Sequence, residues 1–264
     1  MSVDPATPLH ERNPTSRFSD RAADYVKYRP TYPGAAIDAI LEGLGDPRVL
    51  TAADVGAGTG ISSRLLAARG VSVMAVEPNC AMRTAGQEQP LPGGAPRITW
   101  IAGAGERTTL DTASVELVLC AQSFHWFEPV FALREFHRIL RPRGRAAFMW
   151  NVGDMRDDFT RAYREAFTLV SDEHRVQEEW HLDTSIVDKT GLFGPVRLQT
   201  FPNSQVLDLP GLLGRALSAS YAPKSGPAHE VLSRLLTDLH AKFARRGEVM
   251  MRYRTDVYLA DRNV

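Results

Sequence analysis

Residues 54 to 60 read Asp-Val-Gly-Ala-Gly-Thr-Gly, and a second carboxylate follows at Glu77. Glycine at 56, 58 and 60 lets the chain turn sharply and brings backbone N–H groups toward a ligand, while a helix starting at Ile61 would add the positive end of its dipole. Such a surface suits a nucleotide or an amino-acid carboxylate. A tight turn that holds no ligand uses the same glycines. The acidic residues favour a ligand: Asp54 closes one strand-like run just before the loop, and Glu77 closes the next, where a carboxylate accepts both hydroxyls of a ribose.

The spacing also separates cofactors. The dinucleotide fingerprint G-x-G-x-x-G requires a third glycine at position 61, which is Ile61. A pyrophosphate is a poor neighbour for Asp54, whereas an ammonium is a good one. S-adenosylmethionine (SAM) therefore explains the loop better than NAD.

Two further segments carry chemistry. Tyr25 and Arg29 lie four apart before the break at Pro30 and share a helical face. They read either as a lid, with Arg29 on the SAM carboxylate or an acidic substrate and Tyr25 shielding the sulfonium, or as a surface arginine beside packing tyrosines. Gln122, Ser123, Phe124, His125 and Trp126 follow the fourth strand-like run, where open α/β sheets bind ligands. Gln122 is a candidate contact to the methionine portion. His125 is a candidate general base, because its ordinary pKa lies near neutrality, or a structural hydrogen-bonding residue. His137, His174, His181, His229 and His240 are scattered and read as surface or core residues.

The elements that must position these groups alternate. Strand-like runs begin at Val49, Val71, Arg97 and Ser114, with helical stretches after Ile61 and Asn79, a longer helix from Pro129 to Gly144, and a strand ending at Asn151. Continuous apolar strands joined by helix-length crossovers predict a parallel sheet covered on both faces. Gly70 is placed as a helix C-terminal cap, and Pro142 with Gly144 as the stop of the longer helix. After Asn151, Phe159, Tyr163, Ala166, Phe167 and Val170 fall on one helical face. This segment reads as a helical cap, and the β-rich runs from Phe193 and Val249 read as completing the sheet.

Composition excludes several classes. Thirty-one basic residues balance thirty-one acidic ones in 264 residues, so no net field draws the chain to nucleic acid or an anionic membrane. Cys80 and Cys120 form no disulfide framework and no repeated metal spacing, which points to a reducing, cytoplasmic compartment. The N-terminus lacks an apolar signal segment, and no apolar run approaches roughly 18 residues. Clustered carboxylates that would hold a divalent ion are missing from the Gln122 loop, so no metal is expected.

Four blocks in order, FSDRAADYVKYRPTYP, DVGAGTG, VEPN and AQSFHWF, resemble class I SAM-dependent methyltransferases of the type 11 group. The likeness covers nearly the whole chain and is strongest to the branch similar to trans-aconitate methyltransferases. It implies an α/β fold, a Rossmann-like seven-stranded, mostly parallel sheet with the last strand antiparallel, helices on both faces and a helical cap. The division expected is a lid segment over 1–47, a SAM-binding core over 48–151, a cap insertion over 152–191 and sheet completion over 192–264. The resemblance implies Asp54, Gly56, Ala57 and Gly58 around the methionine portion and Glu77 on the ribose. It implies Pro78 and Met82 along the adenine, with Gly105 and Glu106 near the adenine amine. Many relatives carry an Asp where this chain has Ala104, a departure at the adenine contact.

The activity implied is in-line transfer of the SAM methyl to an O, N or C nucleophile of a small, partly apolar acceptor. Its pocket is expected between the lid, the cap and the helix near Ser218 and Tyr221. A SAM-binding regulator without turnover has the same cofactor motif. An NAD-dependent oxidoreductase is disfavoured by Ile61 and by the lack of a Tyr-x-x-x-Lys pair after the loop.

Overall fold

The computed structural model describes residues 22–91, 93–170, 181–219 and 221–263. Residues 18–21 of the N-terminal block, residues 171–180 of the expected cap (with His174) and Ser220 lie outside the described residues. Among the described residues no helix is long and apolar enough to cross a membrane.

Seven strands form one sheet in the order β3-β2-β1-β4-β5-β7-β6. They are β1 (Thr51–Val55), β2 (Ser72–Val76), β3 (Thr99–Ile101), β4 (Val115–Ala121), β5 (Leu140–Gly153), β6 (Arg197–Leu207) and β7 (Val249–Asp261). β1 to β5 pair in parallel, and only β7 runs against its neighbours. The helices are α1 (Ala22–Tyr28), α2 (Gly34–Leu41), α3 (Ile61–Ala67), α4 (Cys80–Gln87), α5 (Pro129–Ile139), α6 (Asp158–Thr168), α7 (Thr184–Thr190), α8 (Leu209–Leu217) and α9 (Gly226–Phe243).

Successive side chains of a strand point to opposite faces, and here both faces are dry. Val118, Cys120, Phe148 and Trp150 pack with Leu133, Phe136 and Ile139 of α5 and with Val187 of α7. Leu117, Leu119 and Met149 pack on the other side with Ile37 and Ile40 of α2 and Leu66 of α3. A third cluster joins Phe159, Tyr163 and Phe167 of α6 to Leu212 and Ala216 of α8, Leu232 and Leu236 of α9, and Met251 and Tyr253 of β7. Helix starts follow side-chain chemistry. Asn79, Glu128 and Asp157 accept from Met82, Phe131 and Thr160 N–H groups and so cap α4, α5 and α6.

Gly70 caps α3 as expected: at φ 94° it donates to Ala67 O while Val71 N–H donates to Leu66 O. One boundary differs from the sequence reading. α5 stops at Ile139 rather than at Pro142–Gly144, because Leu140 already pairs with Val115 in the sheet. The register then shifts, and Arg145 pairs with Leu117. Residues 141–144 are thus an excursion within β5, which proline disfavours as helix. Arg145 secures it, reaching Asp261 and the carbonyls of Ile40 and Glu42.

Candidate functional site

The glycine loop leaves β1 and turns at once. Gly56, Gly58 and Gly60 all have positive φ (71°, 58° and 78°), which an L side chain rarely adopts. The loop N–H groups do not face outward as the sequence reading expects. Those of Gly56 and Ala57 donate to Val76 O at 2.8 and 3.1 Å, and that of Gly58 donates to Glu77 Oε2 at 2.9 Å. Their partners come from β2, whose register with β1 sets Val55 opposite Val76.

What the loop presents instead is carboxylate. Asp54 is fully buried; its Oδ2 accepts from Ser62 and Ser63 hydroxyls at 2.7 and 2.5 Å, while Oδ1 has no partner among the described residues. Burial pushes its carboxyl above the ordinary carboxylate range, against the lowering effect of both serines. Glu77, also buried, accepts one N–H on each oxygen, from Gly58 and from Asn79, both at 2.9 Å. A carboxylate offers about four acceptor positions, so each oxygen keeps one for a further donor. Burial raises Glu77 too, with Asp54 contributing by like charge.

The other expected cofactor residues divide. Tyr25 and Met82 converge on Gly58: a Cβ there would stand 3.8 Å from the Tyr25 ring and 3.4 Å from the Met82 methyl. Pro78 follows Glu77 and gives its carbonyl to Arg83. Gly105 faces Phe127, whose ring would lie 2.5 Å from a Cβ, so this glycine makes room for the aromatic ring. Glu106 accepts the N–H of Glu128 at 2.7 Å and ties the loop after β3 to the start of α5.

Gln122 follows β4 in the left-handed region at φ 56°, which is costly for this residue type, and its side-chain amide donates to Asn151 O. Ser123 and Phe127 escape sequence reasoning as loop partners. Ser123 Oγ donates to Val55 O at 2.7 Å, and both residues press on Gly56. Their place in the AQSFHWF block was the available signal. His125 Nδ1 lies 3.3 Å from the indole N–H of Trp150. An indole can only donate, so Nδ1 is the acceptor and the neutral ring carries its proton on Nε2.

The segment from Tyr28 to Thr31 is anchored to the far half of the sheet. Gln205 of β6 donates to Tyr28 O, and Asn151 and Asn203 both donate to Thr31 O. Tyr28 lies against Gly214 of α8. Arg29 stacks on the Tyr25 ring at 4.7 Å and donates to Ser218 O at 2.9 Å. The structure therefore brings Tyr25, Gly58, Glu77 and Met82 together at the carboxyl ends of β1 and β2. Gln122 and His125 stand after β4, the next strand of the sheet.

Residues 53–148 match the family described as Methyltransferase domain, Methyltransf_11. The chain is 37% identical to an uncharacterized methyltransferase of Mycobacterium tuberculosis, over 58% of this chain and 60% of the relative. It is 33% identical to an uncharacterized methyltransferase-like protein of Schizosaccharomyces pombe over 52% of each. The chain thus spans 60% or less of the length of these curated relatives. A candidate type II methyltransferase from Anaeromyxobacter dehalogenans has the same fold at TM-score 0.63 and 22% identity, over 89% of this chain and 98% of that one. A Haemonchus contortus phosphoethanolamine N-methyltransferase, solved with phosphomonomethylethanolamine and S-adenosylhomocysteine, superposes at TM-score 0.56 and 16% identity, over 100% of this chain and 61% of that one.

Proposed function

We propose that this chain transfers the methyl group of SAM to an O, N or C nucleophile of a small molecule in the cytoplasm. The observation that carries the reading is the pair of buried carboxylates at the glycine loop, Asp54 with an unpartnered oxygen and Glu77 with spare acceptor positions. They suit a ligand bringing an ammonium and vicinal hydroxyls, and they repel a pyrophosphate. SAM, when bound, supplies an activated methyl on a sulfonium.

The remaining work is positional. Asp54 would hold the ammonium, Glu77 the ribose, and Pro78 and Met82 would line the adenine, with Gly105 and Glu106 near its amine. Gly56, Ala57, Gly58 and Gln122 border the methionine portion. Tyr25 closes over Gly58 and, with Arg29, excludes water from the reacting atoms. Holding an acceptor in line beside such a methyl supplies much of the acceleration through proximity alone. The balanced charge supports a small-molecule acceptor over nucleic acid, and the free Cys80 and Cys120 support a reducing compartment. Incubation with methyl-labelled SAM and a small-molecule panel tests the reading. Label moving to one acceptor class is expected. SAM bound with no transfer to any acceptor, or to cell extract, would instead mark a regulator.

His125 enters this reading as an acceptor-positioning group. Its Nδ1 is engaged by Trp150, so serving as a general base would first require loss of the Nε2 proton. His125→Ala is expected to lower turnover about tenfold, with S-adenosylhomocysteine affinity within a few-fold of wild type and an unchanged pH profile. A rate limb near pH ~6.5 that disappears in the variant would establish the base role instead.

The raised carboxyls give a pH signature. Asp54 and Glu77 favour protonation in the fold, so their contribution to stability is present below the ordinary carboxylate range and is lost as pH rises through the raised values. A bound ammonium reverses this for Asp54. S-adenosylhomocysteine should therefore raise the melting temperature more at about pH 7.5 than at about pH 5, above the ordinary carboxylate pKa of ~4. Asp54→Asn should flatten much of that difference. An equal shift at both pH values would remove Asp54 from the ammonium site.

A further inference from the structure

Beyond the glycine loop, Arg29 Nε, Arg215 Nε and Nη1, and the Tyr163 hydroxyl are buried atoms without a hydrogen-bond partner among the described residues. They meet where α1, α6 and α8 converge. Arg29 reaches α8 through Ser218 O, and Tyr28 beside it lies against Gly214, next to Arg215. Tyr163 of α6 packs on Phe167 at 5.2 Å, and Phe167 on Tyr221 at the same distance. Burial first, and the Arg215 guanidinium second, disfavour charge on Arg29, so the two cations share one neighbourhood. Burial disfavours charge on Arg215, while Tyr253, Tyr163 and Tyr221, with a hydrogen bond to Tyr253, favour it and leave the guanidinium above its ordinary value.

The two guanidinium groups are half-buried, and like charges held this close without a counter-ion among the described residues are unfavourable; phenols and the Ser218 carbonyl are what surrounds them. Guanidinium groups present planar forks that match carboxylate and phosphate oxygens, and a phenol adds a third donor. We propose that Arg215, Arg29 and Tyr163 bind an anionic group, a carboxylate or a phosphate, carried by the methyl acceptor. The inference rests on the methyl-transfer reading. Arg215 and Tyr163 lie outside residues 53–148, the span matched by the methyltransferase domain, on helices that form the third core cluster with α9. Arg29 links this cluster to the cofactor side through Tyr25, which borders Gly58. The aromatic residues that suggest a partly apolar acceptor from sequence thus surround a cationic pair.

The test is calorimetric titration of the full chain with succinate and, separately, inorganic phosphate, with and without saturating S-adenosylhomocysteine. At least one anion should bind the wild type, and Arg215→Met should weaken that binding by about tenfold or more, as loss of charged hydrogen bonds implies. Tyr163→Phe should weaken it less. S-adenosylhomocysteine affinity should stay within about threefold in both variants. A cooperative thermal melt of Arg215→Met without anion shows that it folds. Succinate alone binding would mark a carboxylate-bearing acceptor, and phosphate alone a phosphorylated one. The proposal is overturned if neither anion binds, if Arg215→Met binds as wild type, or if its S-adenosylhomocysteine affinity falls in step, which would give Arg215 to the cofactor carboxylate. Failure of S-adenosylhomocysteine to bind the wild type would overturn the methyl-transfer reading, while the titrations without it still decide the anion site.

Discussion

Gly56→Val is expected to abolish S-adenosylhomocysteine binding and to destabilise the fold by about 3 kcal/mol or more, from left-handed strain and overpacking together. At φ 71° a β-branched residue is strained before any contact is counted. Its Cβ would then stand 2.5 Å from Ser123 Cβ and 3.1 Å from the Phe127 ring. Neither neighbour moves cheaply. Ser123 is held by Val55 O, and Phe127 packs edge-on against Phe124 and Phe136. The loop would have to leave Val76 O, uncoupling it from β2. A fall in melting temperature of roughly 6–12 °C, with no calorimetric heat from S-adenosylhomocysteine, is the expected result. A variant with wild-type melting temperature would show that the Ser123 contact is soft. One that melts early yet binds normally would separate the loop geometry from cofactor binding.

Glu77→Ala is expected to weaken S-adenosylhomocysteine binding by one to two orders of magnitude, the equivalent of roughly 1.5 to 3 kcal/mol for charge-assisted bonds to the ribose. The side chain has a second task. Removing it leaves the N–H groups of Gly58 and Asn79 unpaired, at about 1–3 kcal/mol for each one that stays dry. Loss of a carboxylate whose burial is itself unfavourable offsets part of that cost. The fold should survive with a lowered melting temperature. Binding is read by calorimetry and stability by thermal melting. Unchanged affinity in a folded Glu77→Ala protein would remove Glu77 from the ribose site.

The alternation of strands and helices from Val49 to Asn151 is legible in sequence because both-face burial writes each strand as an apolar run. The three glycines are legible as well, since few other residues tolerate their backbone angles. The use of the loop N–H groups is not, because it depends on the Val55–Val76 register between two strands. Nor is the early end of α5, which Leu140 decides by joining β4 rather than by any local stop signal. Arg215 is the plainest case. On an amphipathic stretch an arginine reads as solvent-facing, and only the docking of α1 and α6 against α8 half-buries it. Gly105 has a packing role the sequence does not show, making room for the Phe127 ring.

The most direct test of cofactor choice is a calorimetric titration of the wild-type chain with SAM and, in parallel, NAD. The two buried carboxylates at the glycine loop and Ile61 at the third-glycine position require a one-site heat for SAM and none for NAD. Saturable binding of NAD, or no heat from SAM, would contradict it.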